Sequence, residues 1–345
     1  MVMIDLSKVS NTDSWREQRE QIRNALLGYI GESINLVSDP LYEELDEDNE
    51  NVFVPDTKVI EEFTDEREHV KRLMIEYFVS KNRDESKKVN AIVFVPSKQK
   101  KDLLPAVLCC PDLDFGNESS KLVESFEEVI CKGLAKLGYI TLIPNYHNVL
   151  FRKGEFGRRN KKETEGTVSK NAKNTKEGQL LEILSASLCV FGTWVSSDIP
   201  SIGVIGKGFG ALQAILLTAM ESVVQACVTI GPISQWKDKE NKYNWIFNKD
   251  IDIIPELRKD AMNGKAPIDL EHIMALCAPS ALLLLNPVVV ESTKRSAHKT
   301  PTYLRSVKNI YEILGMPEAL RVVNKKVEED EDYITLIEDW LSEWL

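Results

Sequence analysis

Residues 14–31 carry apolar positions at helical spacing, and Ser14 is placed to cap the first turn, so the chain is predicted to open on a helix. Residues 70–79 and 89–95 are rich in β-branched and aromatic side chains and flank a polar stretch, the pattern of an antiparallel hairpin. Beyond them, short apolar runs at 106–110, 139–143, 202–205, 226–230, 281–285 and 320–323 predict further strands. Helical or mixed segments follow each of them, among them 120–137, 178–195, 268–277 and a terminal helix at 333–345. Continuous apolar strands set between helices signify a largely parallel sheet covered on both faces. The expected architecture is α/β, with about eight strands, an antiparallel start and helices on both faces. Residues 1–65 read as a helical leader and acidic linker, and 66–345 as the main domain.

Charge modifies this picture locally. The net charge of -11 disfavours attraction to nucleic acid or an anionic membrane surface. Residues 39–50 are strongly acidic, whereas 152–176 holds nine lysines and arginines against Glu155, Glu163 and Glu165. That basic stretch lacks an apolar period and reads as a loop over 151–178, either solvated or docking an anion or partner. The six cysteines lie mostly in apolar runs with no metal-binding spacing, as expected of reduced, buried thiols. No secretory leader or membrane-length apolar run is visible, so a cytoplasmic location is expected.

The chemistry concentrates in the run 202–214, a strand, a tight glycine turn and a helix start. Gly206 and Gly210 flank Gly208 in the spacing of a G-x-S-x-G elbow, where a nucleophilic serine would occupy the middle position. Gly208 has no side chain to attack a carbonyl. Exposed N–H groups of Gly208, Phe209 and Gly210 at a helix start, beside Lys207, would favour a carboxylate or phosphate; the plainer account is a packed turn with a solvent-facing lysine.

These residues, in this order, resemble the α/β-hydrolase family, in its dienelactone hydrolase and acetyl xylan esterase-like branch. The resemblance spans most of the chain: the leader with Trp15, the hairpin ending Val95-Pro96, the run 104–112, the run 134–144, the elbow, the run 278–286, and a last helix with Trp340 and Trp344. It implies a nucleophile, a histidine base, an acid that orients it and an oxyanion hole. The base is implied in the loop after the last strand, 324–332, which contains no histidine. His147 and His298 are the weak stand-ins, while His69 and His272 read as structural. Glu291 is the only carboxylate close behind the strand that ends at Leu285. Where the branch shows His-Gly at the oxyanion hole, this chain has Pro111-Asp112; Leu113 N–H is left to point inward, and Asp112 brings opposing negative charge.

Every triad role is thus weak or vacant, and the expectation is a catalytically degenerate hydrolase fold that binds without turning over. Its ligand site would comprise Lys207, Gly208, Phe209, Asp112 and Leu113, taking a small acidic or ester-like ligand, or its surface would dock a protein partner. No cofactor, metal, nucleic acid or membrane is expected. One alternative is a carboxylic-ester hydrolase with an unconventional site built on Glu291, His147 or His298. Another is nucleotide binding, since Gly206 to Ala211 also fits G-x-G-x-x-A, although the next strand ends without the ribose-binding acid. The aromatics Trp236, Tyr243, Trp245 and Phe247 either line a pocket or anchor a long connection.

Overall fold

The computed structural model describes residues 4–31, 55–79, 88–97, 104–113, 115, 124–146, 175–193, 201–248, 251–287, 302–324 and 330–345. Among them, nine strands form one sheet: β1 (Thr57–Asp65), β2 (Val70–Phe78), β3 (Lys88–Pro96), β4 (Ala106–Cys110), β5 (Ile140–Asn145), β6 (Ile202–Lys207), β7 (Val224–Ile230), β8 (Ala281–Leu285) and β9 (Leu320–Val323). Their spatial order is β1-β2-β3-β5-β4-β6-β7-β8-β9. The first three strands and the β3–β5 pair are antiparallel, and every pair from β5 to β9 is parallel. The expected α/β sheet with an antiparallel start is therefore present.

β1 is the strand that the apolar pattern did not reveal. It lies at the sheet edge, pairs only with β2, and carries a bulge between Val59 and Glu61. Most of its side chains are exposed, including Lys58, Glu61 and Glu62. An edge strand is held by its backbone ladder and needs no buried face, so neither alternation nor an apolar run marks it.

Among the described residues, eight α-helices cover the sheet: α1 (Thr12–Ile30), α2 (Phe126–Lys136), α3 (Lys176–Val190), α4 (Phe209–Met220), α5 (Pro255–Met262), α6 (Leu270–Leu276), α7 (Thr302–Ile313) and α8 (Asp330–Trp344). α1 begins earlier than its sequence suggests. Asn11 is the cap, accepting from Ser14 N–H at 2.9 Å, while Ser14 Oγ accepts from Asn11 N–H at 3.1 Å. Ser14 is thus the third helical residue of a capping box and not the cap itself. α3 likewise starts at Lys176, capped by Thr175, whose Oγ1 accepts from Gly178 N–H at 3.0 Å. Lys176 and Glu177 belong to a helix, then, and not to the basic loop.

α1 buries Trp15, Ile22, Leu26 and Ile30 along one face. Its C-terminal carbonyl at Ile30 accepts from Thr175 Oγ1 at 2.8 Å, which ties it to α3. α4 is buried at every position, because it is enclosed between the sheet and neighbouring helices. All six cysteines are unpaired and five are buried, Cys189 being the partly exposed one. No helix among the described residues is long and apolar enough to cross a membrane.

Candidate active site at the glycine elbow

β6 ends at Lys207, α4 starts at Phe209, and the whole reversal falls on Gly208, with φ 59° and ψ -120°. Only glycine adopts this region without strain. Gly208 N–H donates to Ile230 O at 3.2 Å. Gly206 and Gly210 are small for a different reason. A Cβ on Gly206 would run into Gly210 O, with Ala211 N at 2.8 Å, and one on Gly210 would run into Cys110 O, with Pro111 O at 3.0 Å. Backbone atoms form both obstacles, so neither position can hold a side chain.

The space above Gly208 is filled by Asp112. A Cβ at 208 would collide with Asp112 Oδ2 and lie 2.9 Å from its Cγ. Asp112 Oδ1 accepts two backbone N–H groups, from Leu113 at 2.9 Å and from Phe209 at 3.1 Å. The residue after the elbow and a loop residue following an earlier strand supply the pair of donors that such elbows offer to a developing oxyanion. In this chain the pair is taken by the protein's own carboxylate, next to the N-terminus of α4, where negative charge is favoured.

Asp112 is held in that seat from several sides. Its N–H donates to Glu127 Oε1 at 3.2 Å, and its carbonyl accepts from Phe115 N–H at 3.1 Å. Glu127, in the first turn of α2, is buried. Pro111 O accepts from the hydroxyl of buried Tyr146, just past β5. The expected ligand residues Gly208, Phe209, Asp112 and Leu113 are thus brought together, largely satisfying one another. Lys207 turns its ammonium to the ring of Phe126 on α2, 3.8 Å from the centroid.

The connection after β7 closes over this turn. The ring of Trp245 meets Phe209 edge to face, with centroids 5.5 Å apart. Buried Trp236 donates its backbone N–H to Asp269 Oδ1, and Asn244 Nδ2 donates to the carbonyls of Gln235, Trp236 and Asp238 at 2.9–3.1 Å. Trp236 and Trp245 therefore anchor the segment to the core, while Tyr243 lies beneath the Lys242 ammonium, 4.9 Å from its ring centroid.

A second carboxyl lies behind the elbow. Glu177 is fully buried on α3, and Gln213 Nε2 of α4 donates to its Oε2 at 3.0 Å. Burial pushes the Glu177 carboxyl up to about 7, with the Gln213 hydrogen bond opposing the shift. The sequence reading missed Glu177, Glu127 and Tyr146. Gln213 had a visible signal, being the amide in an otherwise apolar helix.

Of the histidines, His272 accepts from Asp269 N–H on Nδ1 at 2.9 Å, which leaves Nε2 to donate to Ile4 O at 2.8 Å. His69 sits in the β1–β2 turn with φ 56°, its carbonyl accepting from Ser97 N–H at 2.8 Å. Both have structural places. His147, His298 and Glu291 lie outside the described residues. After β8, where an orienting acid is implied, Asn286 has φ 52° and donates its N–H to Val323 O at 2.7 Å. A dinucleotide would need the elbow N–H groups for its pyrophosphate, and those of Gly208 and Phe209 serve Ile230 and Asp112.

Residues 89–247 match the dienelactone hydrolase family. Solved structures with the same fold include a promiscuous CE15 esterase from a marine bacterial metagenome, at 13% identity and TM-score 0.63 over 98% of this chain and 95% of that one. A glucuronoyl esterase from Solibacter usitatus matches at 14% identity and TM-score 0.60, covering 96% of this chain and 94% of that one. A structure from Bacteroides fragilis, described as that of a putative acetyl xylan esterase, matches at 15% identity and TM-score 0.58, covering 96% of this chain and 80% of that one. No protein of curated function matches the sequence significantly.

Proposed function

From a chain with the fold of these esterases, whose residues 89–247 match the dienelactone hydrolase family, we propose a binding protein that does not hydrolyse esters by a serine route. The observation that carries this reading is the Asp112 carboxylate, which fills the space above Gly208 and takes both N–H donors of the oxyanion site. A substrate carbonyl oxygen would meet a negative charge there in place of two donors, and no hydroxyl stands at 208 to attack it. Binding and oxyanion contacts without a working triad accelerate hydrolysis by only about 10³ to 10⁴ over water, and here the oxyanion contacts are themselves engaged. The ligand of such a protein is a small acidic or ester-like molecule bound beside the elbow, or a protein partner.

A carboxylic-ester hydrolase with an unconventional site is the second reading. The family match over 89–247 and the esterases among the structural neighbours support it. Water would be the nucleophile, with Glu291, His147 or His298 as the base.

Hydrolysis of a short-chain aryl ester separates the two, using the purified protein, its Gly208→Ser variant and an active esterase as control. We expect no turnover from either form of this chain. Turnover by the unmodified protein that persists through purification and disappears on changing His147 or His298 would establish the second reading instead.

A further inference from the structure

Glu177 is the second residue of α3, with no exposed surface, and among the described residues its carboxyl has a single hydrogen-bond partner. Glu177 Oε1 and Gln213 Oε1 are both buried without a partner among the described residues. An ionised carboxylate in such a place keeps one hydrogen bond in exchange for a hydration shell, which strongly favours the neutral form. Among the described residues, the titratable groups that face it are Cys110 on β4 and Tyr146 just past β5, both raised chiefly by burial and in part by the charge of Glu177. Burial holds that thiol and that phenol neutral near pH 7. The charge of Asp112 also raises the phenol of Tyr146. Glu177 is accordingly the member of this group whose charge changes near neutrality.

Its position connects it to both halves of the seat of Asp112. Tyr146, on one side, donates to the carbonyl of Pro111, the residue before Asp112. Gln213, on the other, lies one helical turn along α4 from Phe209, whose N–H holds Asp112 Oδ1. We propose that Glu177 is a proton-operated latch on the elbow: its neutral carboxyl lets Tyr146 and α4 close around Asp112, and its ionisation loosens that seat. An ionised carboxylate there needs more than the one hydrogen bond from Gln213, and water entering between α3 and α4 would supply it. The latch operates whether or not the chain hydrolyses esters, because it rests on Glu177 and its packing alone.

The sign follows from linkage. The folded carboxyl titrates near 7, above its ordinary value of 4.5. Its stabilising contribution is therefore fully present below about pH 4.5 and lost as pH rises through about 7. The total loss is on the order of 10²-fold in the folding equilibrium constant, at tenfold per unit of displacement.

The test is urea unfolding of the full chain between pH 4.5 and 8, with hydrogen exchange measured at residues 209–213 over the same range. Relative to the native chain, Glu177→Gln should remove this loss of stability. It should also remove any rise in exchange at 209–213 beyond the intrinsic base-catalysed increase. Gln213→Leu deletes the one hydrogen bond that favours the charged form, and should move the transition to higher pH. The same pH response in Glu177→Gln, or a transition unmoved by Gln213→Leu, overturns the latch. If Glu177→Gln does not fold, the direction of the Gln213→Leu shift decides by itself.

Discussion

Asp112 and Gly208 exclude one another's alternatives: the carboxylate stands where a side chain on residue 208 would begin, with Cγ 2.9 Å from the position of that missing Cβ. The absence of a hydroxyl and the presence of the carboxylate are thus one structural feature. A serine at 208 can be accommodated only if the Asp112 carboxylate moves from its place.

This coupling is measurable by a double-mutant cycle. Gly208→Ser forces an L-residue into the φ 59° conformation and displaces Asp112, and should cost about 1–3 kcal/mol from backbone strain plus the lost carboxylate contacts. In an Asp112→Gly background only the strain remains, so the same substitution should cost less. Urea unfolding of the four proteins gives the interaction energy, and simple additivity would refute the shared-space account.

Removing the carboxylate alone leaves the N–H groups of Leu113 and Phe209 without the acceptor they have at 2.9 and 3.1 Å. Asp112→Ala should lose about 1–3 kcal/mol. Added acetate should recover part of it by occupying the same two donors beside the helix N-terminus. The melting temperature of the variant should rise with acetate concentration more than that of the native protein, at matched ionic strength. Parallel responses would mean that the donors do not form an anion seat.

The glycines should divide sharply. Gly206→Ala and Gly210→Ala each drive a methyl group into backbone carbonyls and should cost about 3 kcal/mol or more. Gly28→Ala, on α1 with nothing within 4 Å of the new methyl group, should stabilise by about 0.4–1 kcal/mol. Thermal unfolding of the three variants checks the ranking.

Asp269 joins two elements by accepting from Trp236 N–H and from Leu270 N–H at 2.7 Å. Asp269→Ala removes the cap of α6 and the tether of the segment over the elbow, and should cost about 2 kcal/mol. Because Trp236 is buried, near-UV circular dichroism should lose intensity before the far-UV signal changes. Unchanged near-UV spectra would show that Trp236 is held by packing alone.

Six apolar runs and the hairpin pattern located eight of the nine described strands within a few residues, and β4 to β8 read as continuous apolar runs because they are covered on both faces. The fold and its parallel order followed from that pattern and from the helices between the runs. The glycine elbow was also legible: a reversal at 208 with neighbouring backbones in contact demands glycine at 206 and 210, and the vacancy at 208 is a matter of residue identity. Edge strand β1 was hidden, because exposed Lys58, Glu61 and Glu62 leave no periodic trace when backbone pairing does the holding. Tertiary structure alone decided the site. Asp112 reaches Phe209 across 97 residues, and Glu177 meets Gln213 across 36, contacts whose partners share no local pattern. Sequence could establish that no hydroxyl occupies the elbow and that a carboxylate is near. That the carboxylate takes the oxyanion donors depends on β4 and β6 lying side by side, which brings the ends of two distant segments to the same edge of the sheet.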